Sequence, residues 1–248
     1  MDNKQQLITL TLCALTAISL PLAAEEPPLE TPLWQQAVEA GLNGSSGNSQ
    51  NMSLHLGYNA ARKNAEDGWK FSSAYDKAES DGVESRNQLF ADLRKDWFWN
   101  DSPWFAYTQG RYDRDNFKVW DYRLAGTVGS GYEFIKNDTW YLTGRFGLGG
   151  NKTYGGTDEQ ATSEALLALD MTWNISQQEV LDFNTTFYPN LDESGEYRNI
   201  TSFNWKMKMT ETGTLAMKIG LVNEYDSIAS EGSDKNDFKY NISLAWGF

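Results

Sequence analysis

The chain has 248 residues, a net charge of −13, 40% hydrophobic residues and a mean hydropathy of −0.58. The acidic balance argues against nucleic acid as a partner, because no basic excess remains to neutralise phosphates. The low hydropathy argues against a helical membrane protein, but a β-barrel needs only alternate residues to be apolar.

The first 24 residues have the features of a cleaved secretory signal peptide. Lys4 precedes an apolar stretch that ends in small residues before the acidic pair Glu25-Glu26. We therefore expect a signal peptide over residues 1–24, a short periplasmic segment over 25–33 and a barrel over 34–248. The only cysteine, Cys13, lies in the signal, so the mature chain is expected to form no disulfide and no thiolate metal site.

Twelve segments of alternating apolar and polar residues follow, separated by clusters of Gly, Asn, Asp and Ser. They are residues 34–43, 51–62, 67–78, 85–97, 103–113, 121–134, 138–149, 162–174, 178–188, 197–209, 213–225 and 237–248. No helical period of comparable length appears after the signal. The pattern predicts an all-β fold, a single antiparallel up-and-down transmembrane β-barrel of about 12 strands.

The connections between these segments alternate in length. With a periplasmic amino terminus, the predicted outer connections are 44–50, 79–84, 114–120, 150–161, 189–196 and 226–236, and the inner ones are shorter on average. Outer-membrane barrels have short periplasmic turns and longer outer loops. A soluble sandwich, which is the alternative for an alternating chain, has no reason to show this pattern.

The last segment has the strictest alternation and ends in an aromatic residue. Its apolar face consists of Tyr240, Ile242, Leu244, Trp246 and Phe248. We expect this strand to face lipid and to be the signal by which the barrel-assembly machinery inserts the chain into the bacterial outer membrane.

Aromatic residues sort by strand direction, as expected for the two interfaces of a bilayer. Trp69, Trp97, Trp104, Trp140, Trp173 and Trp246 fall near the predicted periplasmic ends of their strands. Tyr112, Tyr122, Tyr197, Tyr225 and Tyr240 fall near the outer ends. Together they form a predicted aromatic girdle.

The same alternation predicts which charged side chains line the lumen, because successive residues point to opposite faces. The predicted lumen-lining charges are Arg94, Arg111, Arg123, Arg145, Lys206, Lys208, Lys218, Asp92, Glu133, Asp170 and Asp182. Strand 103–113 fits least well, since a phase that points Trp104 and Tyr112 outward leaves Phe105 and Tyr107 inward.

The sequence contains no motif that predicts catalysis, so we expect no enzymatic activity, no catalytic residue, no cofactor and no metal site. The single histidine, His55, is predicted to face inward, whereas an outer-membrane hydrolase needs its catalytic groups on a lipid-facing rim. Asp113, Asp115 and Asp121 are interpreted as solvated acidic residues around an outer loop, because they lack the ligand spacing of a calcium loop.

Three segments in fixed order carry a family resemblance. They are Gly44-Ser-Ser-Gly-Asn-Ser49, Tyr112-Asp-Arg-Asp-Asn-Phe117, and residues 121–134, which contain Gly129-Ser-Gly-Tyr132. With this spacing the chain resembles the YdiY-like family of salt-induced outer-membrane proteins over nearly its whole mature length. The resemblance implies an outer-membrane barrel of unassigned biochemical role, and it carries over no functional residues.

Three functions remain open from the sequence. The first is a narrow channel or passive pore for small solutes or ions. The second is a structural or interaction barrel plugged by its own charges, and the third, which the sequence favours least, is an outer-membrane hydrolase. In each case the lipid bilayer and the barrel-assembly machinery are the expected partners.

We predict that deleting Phe248, or the substitution Trp246→Asp, leaves the chain unfolded in the periplasm, because the last strand no longer presents an apolar face to lipid. Heat-modifiable migration on gels measures folding. Normal migration of either variant would contradict the assignment of this strand.

Overall fold

The computed structural model describes residues 34–45, 51–155, 159, 161–212, 214–228 and 234–247, which form a closed antiparallel barrel of twelve strands. The strands are β1 (Gln35–Ser45), β2 (Asn51–Lys63), β3 (Asp67–Ser80), β4 (Val83–Phe98), β5 (Trp104–Asp115), β6 (Tyr122–Lys136), β7 (Trp140–Tyr154), β8 (Ala161–Asn174), β9 (Glu179–Pro189), β10 (Tyr197–Lys208), β11 (Leu215–Asp226) and β12 (Asn236–Gly247). The predicted fold class is confirmed.

Each strand pairs with its neighbours in sequence, and β1 pairs with β12 to close the sheet. In this closing pair Val38 lies opposite Trp246, and Ala40 lies opposite Leu244. Closure leaves no free sheet edge, so backbone groups find partners without water. Phe248, the predicted signal peptide and the segment 25–33 lie outside the described residues.

The outer face of the barrel is apolar. Val128 and Leu148 each expose 62% of their surface, and Ile242, Leu244 and Trp246 each expose more than half. A sandwich would bury such a face in a core, whereas here the face surrounds the whole barrel. The outer surface is therefore suited to a hydrocarbon environment.

The barrel has two rims, which differ in whether the ends of the barrel chain lie there. The terminal rim is where β1 begins and β12 ends, and its connections join β2 to β3, β4 to β5, β6 to β7, β8 to β9, and β10 to β11. The opposite rim is where β1 ends and β2 begins, and likewise for the pairs β3 and β4, β5 and β6, β7 and β8, β9 and β10, and β11 and β12.

One predicted outer loop is wrong. Residues 79–84 were expected to form a loop, but β3 and β4 continue to the turn Asp81-Gly82. Both residues have positive φ angles, 50° and 80°, which a two-residue hairpin turn requires. The polar residues around this turn extend the strands beyond the apolar band, so hydropathy alone placed the boundary too early.

The aromatic residues of β5 that fitted the alternation poorly form a buried cluster inside the barrel. Phe105 and Tyr107 are each 2% exposed and pack with Leu166 and Tyr188. Glycines on the adjoining wall make room for them: a Cβ at Gly131 would overlap the Phe105 ring, and one at Gly147 would crowd the Tyr107 hydroxyl. The two aromatic side chains of β5 can therefore point inward because the neighbouring positions on β6 and β7 are glycines.

None of the described residues lies in a helix long and apolar enough to cross a lipid bilayer.

We predict that Gly131→Ala destabilises the barrel by about 1–3 kcal/mol, because the new methyl group displaces the Phe105 ring. Urea unfolding of the detergent-solubilised protein measures the free energy of unfolding. Gly110→Ala is the matched control, since a Cβ there meets no atom within 4 Å. Equal stability of the two variants would show that the glycine does not hold the aromatic ring.

Candidate functional site in the barrel interior

At the terminal rim, Lys63 bridges the lumen from β2. Its Nζ lies 2.8 Å from Glu133 Oε1 on β6 and donates to Tyr141 Oη on β7 at 3.0 Å. The same Nζ lies 4.4 Å from the centroid of the Phe98 ring on β4. Strand β2 is a neighbour of none of β4, β6 and β7, so one side chain crosses the opening and narrows it.

A second bridge lies deeper in the terminal half. Asp170 on β8 accepts from Arg145 Nε at 2.8 Å and lies 3.4 Å from Arg94 Nη1, which reaches across from β4. Arg94 also pairs with Asp96 at 3.0 Å, and Arg145 donates to Gln109 at 2.8 Å. In these contacts two arginines pair with two carboxylates, which offsets the cost of burying the ions.

The half of the lumen toward the opposite rim contains a cavity of about 330 Å³. Glu39, His55 and Lys218 lie at its inner end, and Arg111, Arg123 and Arg198 lie on its wall near the rim. Charged side chains of both signs face this cavity, so it is suited to small polar or ionic species.

His55 belongs to a chain of ionic contacts at the inner end of this cavity. Its Nδ1 lies 2.7 Å from Asp76 Oδ1, and its Nε2 lies 3.7 Å from Glu39 Oε2. Glu39 is also bound by Lys218 at 2.7 Å. The histidine Nε2 has no hydrogen-bond partner, so the arrangement lacks the hydroxyl nucleophile that a serine hydrolase needs.

Three arginines lie near the opposite rim. Arg111 donates to Asp113 Oδ1 from Nη2 at 2.7 Å and from Nε at 2.9 Å. Arg198 Nη2 donates to both carboxylate oxygens of Glu164 at 2.9 Å. Arg123 reaches the same Asp113 only at 3.5 Å. The guanidinium of Arg123 also lies 5.2 Å from the centroid of the Trp120 ring.

The other predicted lumen charges occupy separate positions. Asp92 accepts from Gln109 Nε2 at 2.7 Å, and Lys206 pairs with Asp182 at 2.9 Å. Lys208 is exposed at the end of β10.

The predicted aromatic residues lie in two groups along the strands. Trp140 and Trp173 stack at 4.8 Å near the terminal rim, and Tyr197 and Tyr225 stack at 5.4 Å near the opposite rim. Trp69, Trp97, Trp104 and Trp246 lie toward the terminal rim, and Tyr112, Tyr122 and Tyr240 lie toward the opposite one.

Several interior residues that make the principal contacts are absent from the predicted set: Glu39, Lys63, Asp76, Glu164 and Arg198. Lys63, Glu164 and Arg198 share the inward phase of His55, Asp170 and Lys206 on the same strands, so counting by twos would have found them. Strands β1 and β3 carry no predicted lumen residue from which to count to Glu39 or Asp76. Which of them pair across the lumen depends on barrel closure and is not visible in the sequence.

Asp115 corrects the interpretation of the acidic loop. It ends β5 with 8% exposure, accepts from Gln88 Nε2 at 2.9 Å and from Phe117 N at 3.0 Å. The carboxylate is buried because it caps the turn after β5, a local role that composition did not reveal.

The fold and the charged lumen define an outer-membrane-type β-barrel. A family model described as "Protein of unknown function, DUF481" matches residues 38–248, and the chain belongs to this family. The resemblance to the YdiY-like family is consistent with that membership.

Solved structures similar to the chain include porins and channels. The NanC porin is similar over 85% of this chain and 98% of its own, with a TM-score of 0.52 and 12% identity. The COG4313 outer-membrane channel from Pseudomonas putida F1 has a TM-score of 0.49 at 10% identity, over 90% of this chain and 100% of its own. At these identities the similarity concerns the fold. No curated protein sequence matches the chain.

We predict that Asp170→Asn lowers the free energy of unfolding by about 3–5 kcal/mol, because Arg94 and Arg145 both lose a buried carboxylate. Urea titration of the folded barrel measures the change. Glu84→Gln is the control, since its pair with Lys77 is 3.6 Å long and both side chains are more than a third exposed. A similar small change in both variants would mean that the Asp170 cluster does not stabilise the barrel.

Proposed function

We propose that the protein is a narrow outer-membrane channel that passes small solutes or ions. The observation that supports this proposal most directly is the cavity of about 330 Å³ in the half of the lumen toward the opposite rim. The bridges across the terminal half are made by side chains of the strands, not by an inserted segment among the described residues. Side chains can move to let a small species pass, and a packed segment cannot do so as readily.

In this proposal the terminal rim faces the periplasm and the opposite rim faces the outside. Because the number of strands is even, the first strand begins and the last strand ends on the same side of the membrane. In an exported barrel this side is the periplasmic one. The apolar outer face contacts lipid, and the barrel-assembly machinery inserts the chain through its last strand. The tryptophans toward the terminal rim and the tyrosines toward the opposite rim then lie at the two interfaces.

A barrel plugged by its own ion pairs is the second candidate. The contacts of Lys63 with Glu133 and Tyr141, and those of Arg94 with Asp170, favour it because they cross the lumen at two levels. In such a barrel the same contacts would hold the strands together, and the outer connections would meet a partner. An outer-membrane hydrolase lacks comparable support, because His55 has no hydroxyl on its free nitrogen.

We predict that Lys63→Ala increases the unit conductance of the refolded protein in planar bilayers, since the side chain that bridges the terminal opening is removed. Lys136→Ala is the matched control. Lys136 binds the same carboxylate at 3.0 Å, but the pair is local in sequence and the lysine is 62% exposed.

The two candidate functions give different results in this experiment. A wild-type conductance that rises in Lys63→Ala and not in Lys136→Ala supports a channel narrowed by Lys63. Silence of the wild type and of both variants at every voltage would contradict the channel and favour the plugged barrel.

A further inference from the structure

We infer that Arg123 forms a binding subsite for a small oxyanion, a carboxylate or a phosphate, on the wall of the outward-facing cavity. The inference deepens the proposed channel function by naming a ligand class for the cavity, and it rests on that function only for the orientation of the barrel. The supporting observations are a weak ion pair, an unpaired nitrogen and free space at the same residue.

The ion pairing of Arg123 is weaker than that of the other two rim arginines. Asp113 is held by Arg111 through two nitrogens, and Glu164 is held by Arg198 through two oxygens. Arg123 has only a longer contact of 3.5 Å to the already occupied Asp113. Asp113 and Glu164 are thus each bound by another arginine, and among the described residues no carboxylate lies closer to Arg123 than this shared Asp113.

The unpaired nitrogen belongs to the same side chain. The Nε of Arg123 is buried and has no hydrogen-bond partner. The side chain as a whole is 14% exposed, so water reaches little of it. A buried cationic donor without a partner is costly, and an anion that accepts from it would recover that free energy.

The contrast with Arg94 and Arg145 shows that this weak ion pairing is not general. Arg94 contacts Asp96 at 3.0 Å and Asp170 at 3.4 Å, and Arg145 contacts Asp170 at 2.8 Å. Those arginines hold the barrel together. The Nε atoms of Arg94 and Arg62 also lack a hydrogen-bond partner, so Arg123 differs from these arginines in its ion pairing, which is limited to the 3.5 Å contact with a carboxylate that Arg111 already binds.

Free space adjoins Arg123 on two sides. It lines the cavity of about 330 Å³ and a second one of about 140 Å³ between β6, β7, β8 and β10, and Arg198 and Trp120 line both. The smaller cavity also presents Asn151 and Thr162, which are neighbours across β7 and β8. An oxyanion at Arg123 would therefore meet a planar guanidinium, an amide and a hydroxyl.

The geometry of the guanidinium selects the ligand class. Its planar set of donors matches carboxylate and phosphate oxygens in pairs, which a spherical halide cannot do. The overall charge of the protein does not attract anions, because the chain carries 34 acidic and 21 basic side chains. The positive site is thus a local arrangement in an acidic protein.

Asp226 is one of the carboxylates that oppose anion binding; Glu164, which Arg198 binds, and Glu196, which accepts from Asn190 Nδ2 at 2.8 Å, also line the smaller cavity. Asp226 lines both cavities and accepts from Ile228 N at 3.0 Å, and it forms no ion pair within the described part of the chain. The inference therefore makes an additional prediction: neutralising Asp226 should strengthen the binding of an anion at Arg123.

Titration calorimetry on the full-length protein, refolded in detergent, tests the inference with two probes, inorganic phosphate and glucuronate, and with glucose as the uncharged comparison. We expect at least one of the two anions to bind and glucose not to bind. Arg123→Gln should weaken that binding by about tenfold or more, and Arg123→Lys should give an intermediate loss because it keeps the charge without the planar donors.

Arg62→Gln is the matched control, because Arg62 is an arginine of the terminal rim that pairs with Asp67 at 3.0 Å and lines neither cavity. It should bind as the wild type does. Asp226→Asn should bind the anion more tightly, and this variant keeps the test decisive if Arg123→Gln does not fold, which gel migration reveals. If only phosphate binds, the subsite is specific for phosphate groups; if only glucuronate binds, it is specific for carboxylates.

The inference is overturned if the wild type binds neither anion, if Arg123→Gln binds as the wild type does, or if Asp226→Asn does not strengthen binding. Since calorimetry needs no membrane current, a barrel that binds but does not conduct refutes the channel alone. A barrel that conducts but binds neither anion refutes the subsite alone.

Discussion

The pairing of β1 with β12 is the constraint on which the rest of the structure depends. A lipid environment offers no partner to a backbone amide or carbonyl, so every strand must find both neighbours within the chain. Once the sheet is closed, alternation divides each strand into an outer and an inner set of side chains. The apolar exterior and the charged lumen are two consequences of the same closure.

Closure also decides what the interior charges can do. Strands that are distant in sequence, such as β4 and β8 or β2 and β6, come within reach of single side chains only because the cylinder is narrow. In the terminal half these contacts balance acids against bases and cross the lumen. Toward the opposite rim Arg123 has only a 3.5 Å contact with a shared carboxylate, and the lumen contains a cavity of about 330 Å³. The proposed channel and the proposed oxyanion subsite therefore concern different halves of one interior.

Much of this organisation could be predicted from the sequence, because the side-chain period of a strand is fixed by the backbone. The twelve strands and the inward phase of Arg94, Arg145 and Asp170 follow from alternation alone. The turn at Asp81-Gly82 was missed, because polar strand ends and loops have the same composition. Phe105 and Tyr107 could be explained only after the register placed glycines of the adjacent strands beside them.

The cross-lumen pairs could not be predicted, since they depend on shear, tilt and barrel diameter, which no local pattern encodes. Lys63 illustrates this point: it shares the inward phase of β2, but its contact with Glu133 requires the position of β6. Arg123 was predicted to line the lumen, whereas its lack of a separate counterion emerged only from the distances.

A closed barrel with an apolar exterior and a hydrophilic lumen exposes adjacent residues of one strand to different surroundings. Spin labels at adjacent β6 positions test this arrangement most directly, in the variants Val128→Cys and Thr127→Cys of the mature chain, reconstituted in vesicles. We predict that the label at position 128 is relaxed by oxygen dissolved in lipid, and that the label at position 127 is relaxed by a water-soluble nickel complex. Equal access of the nickel complex to both positions would contradict this arrangement.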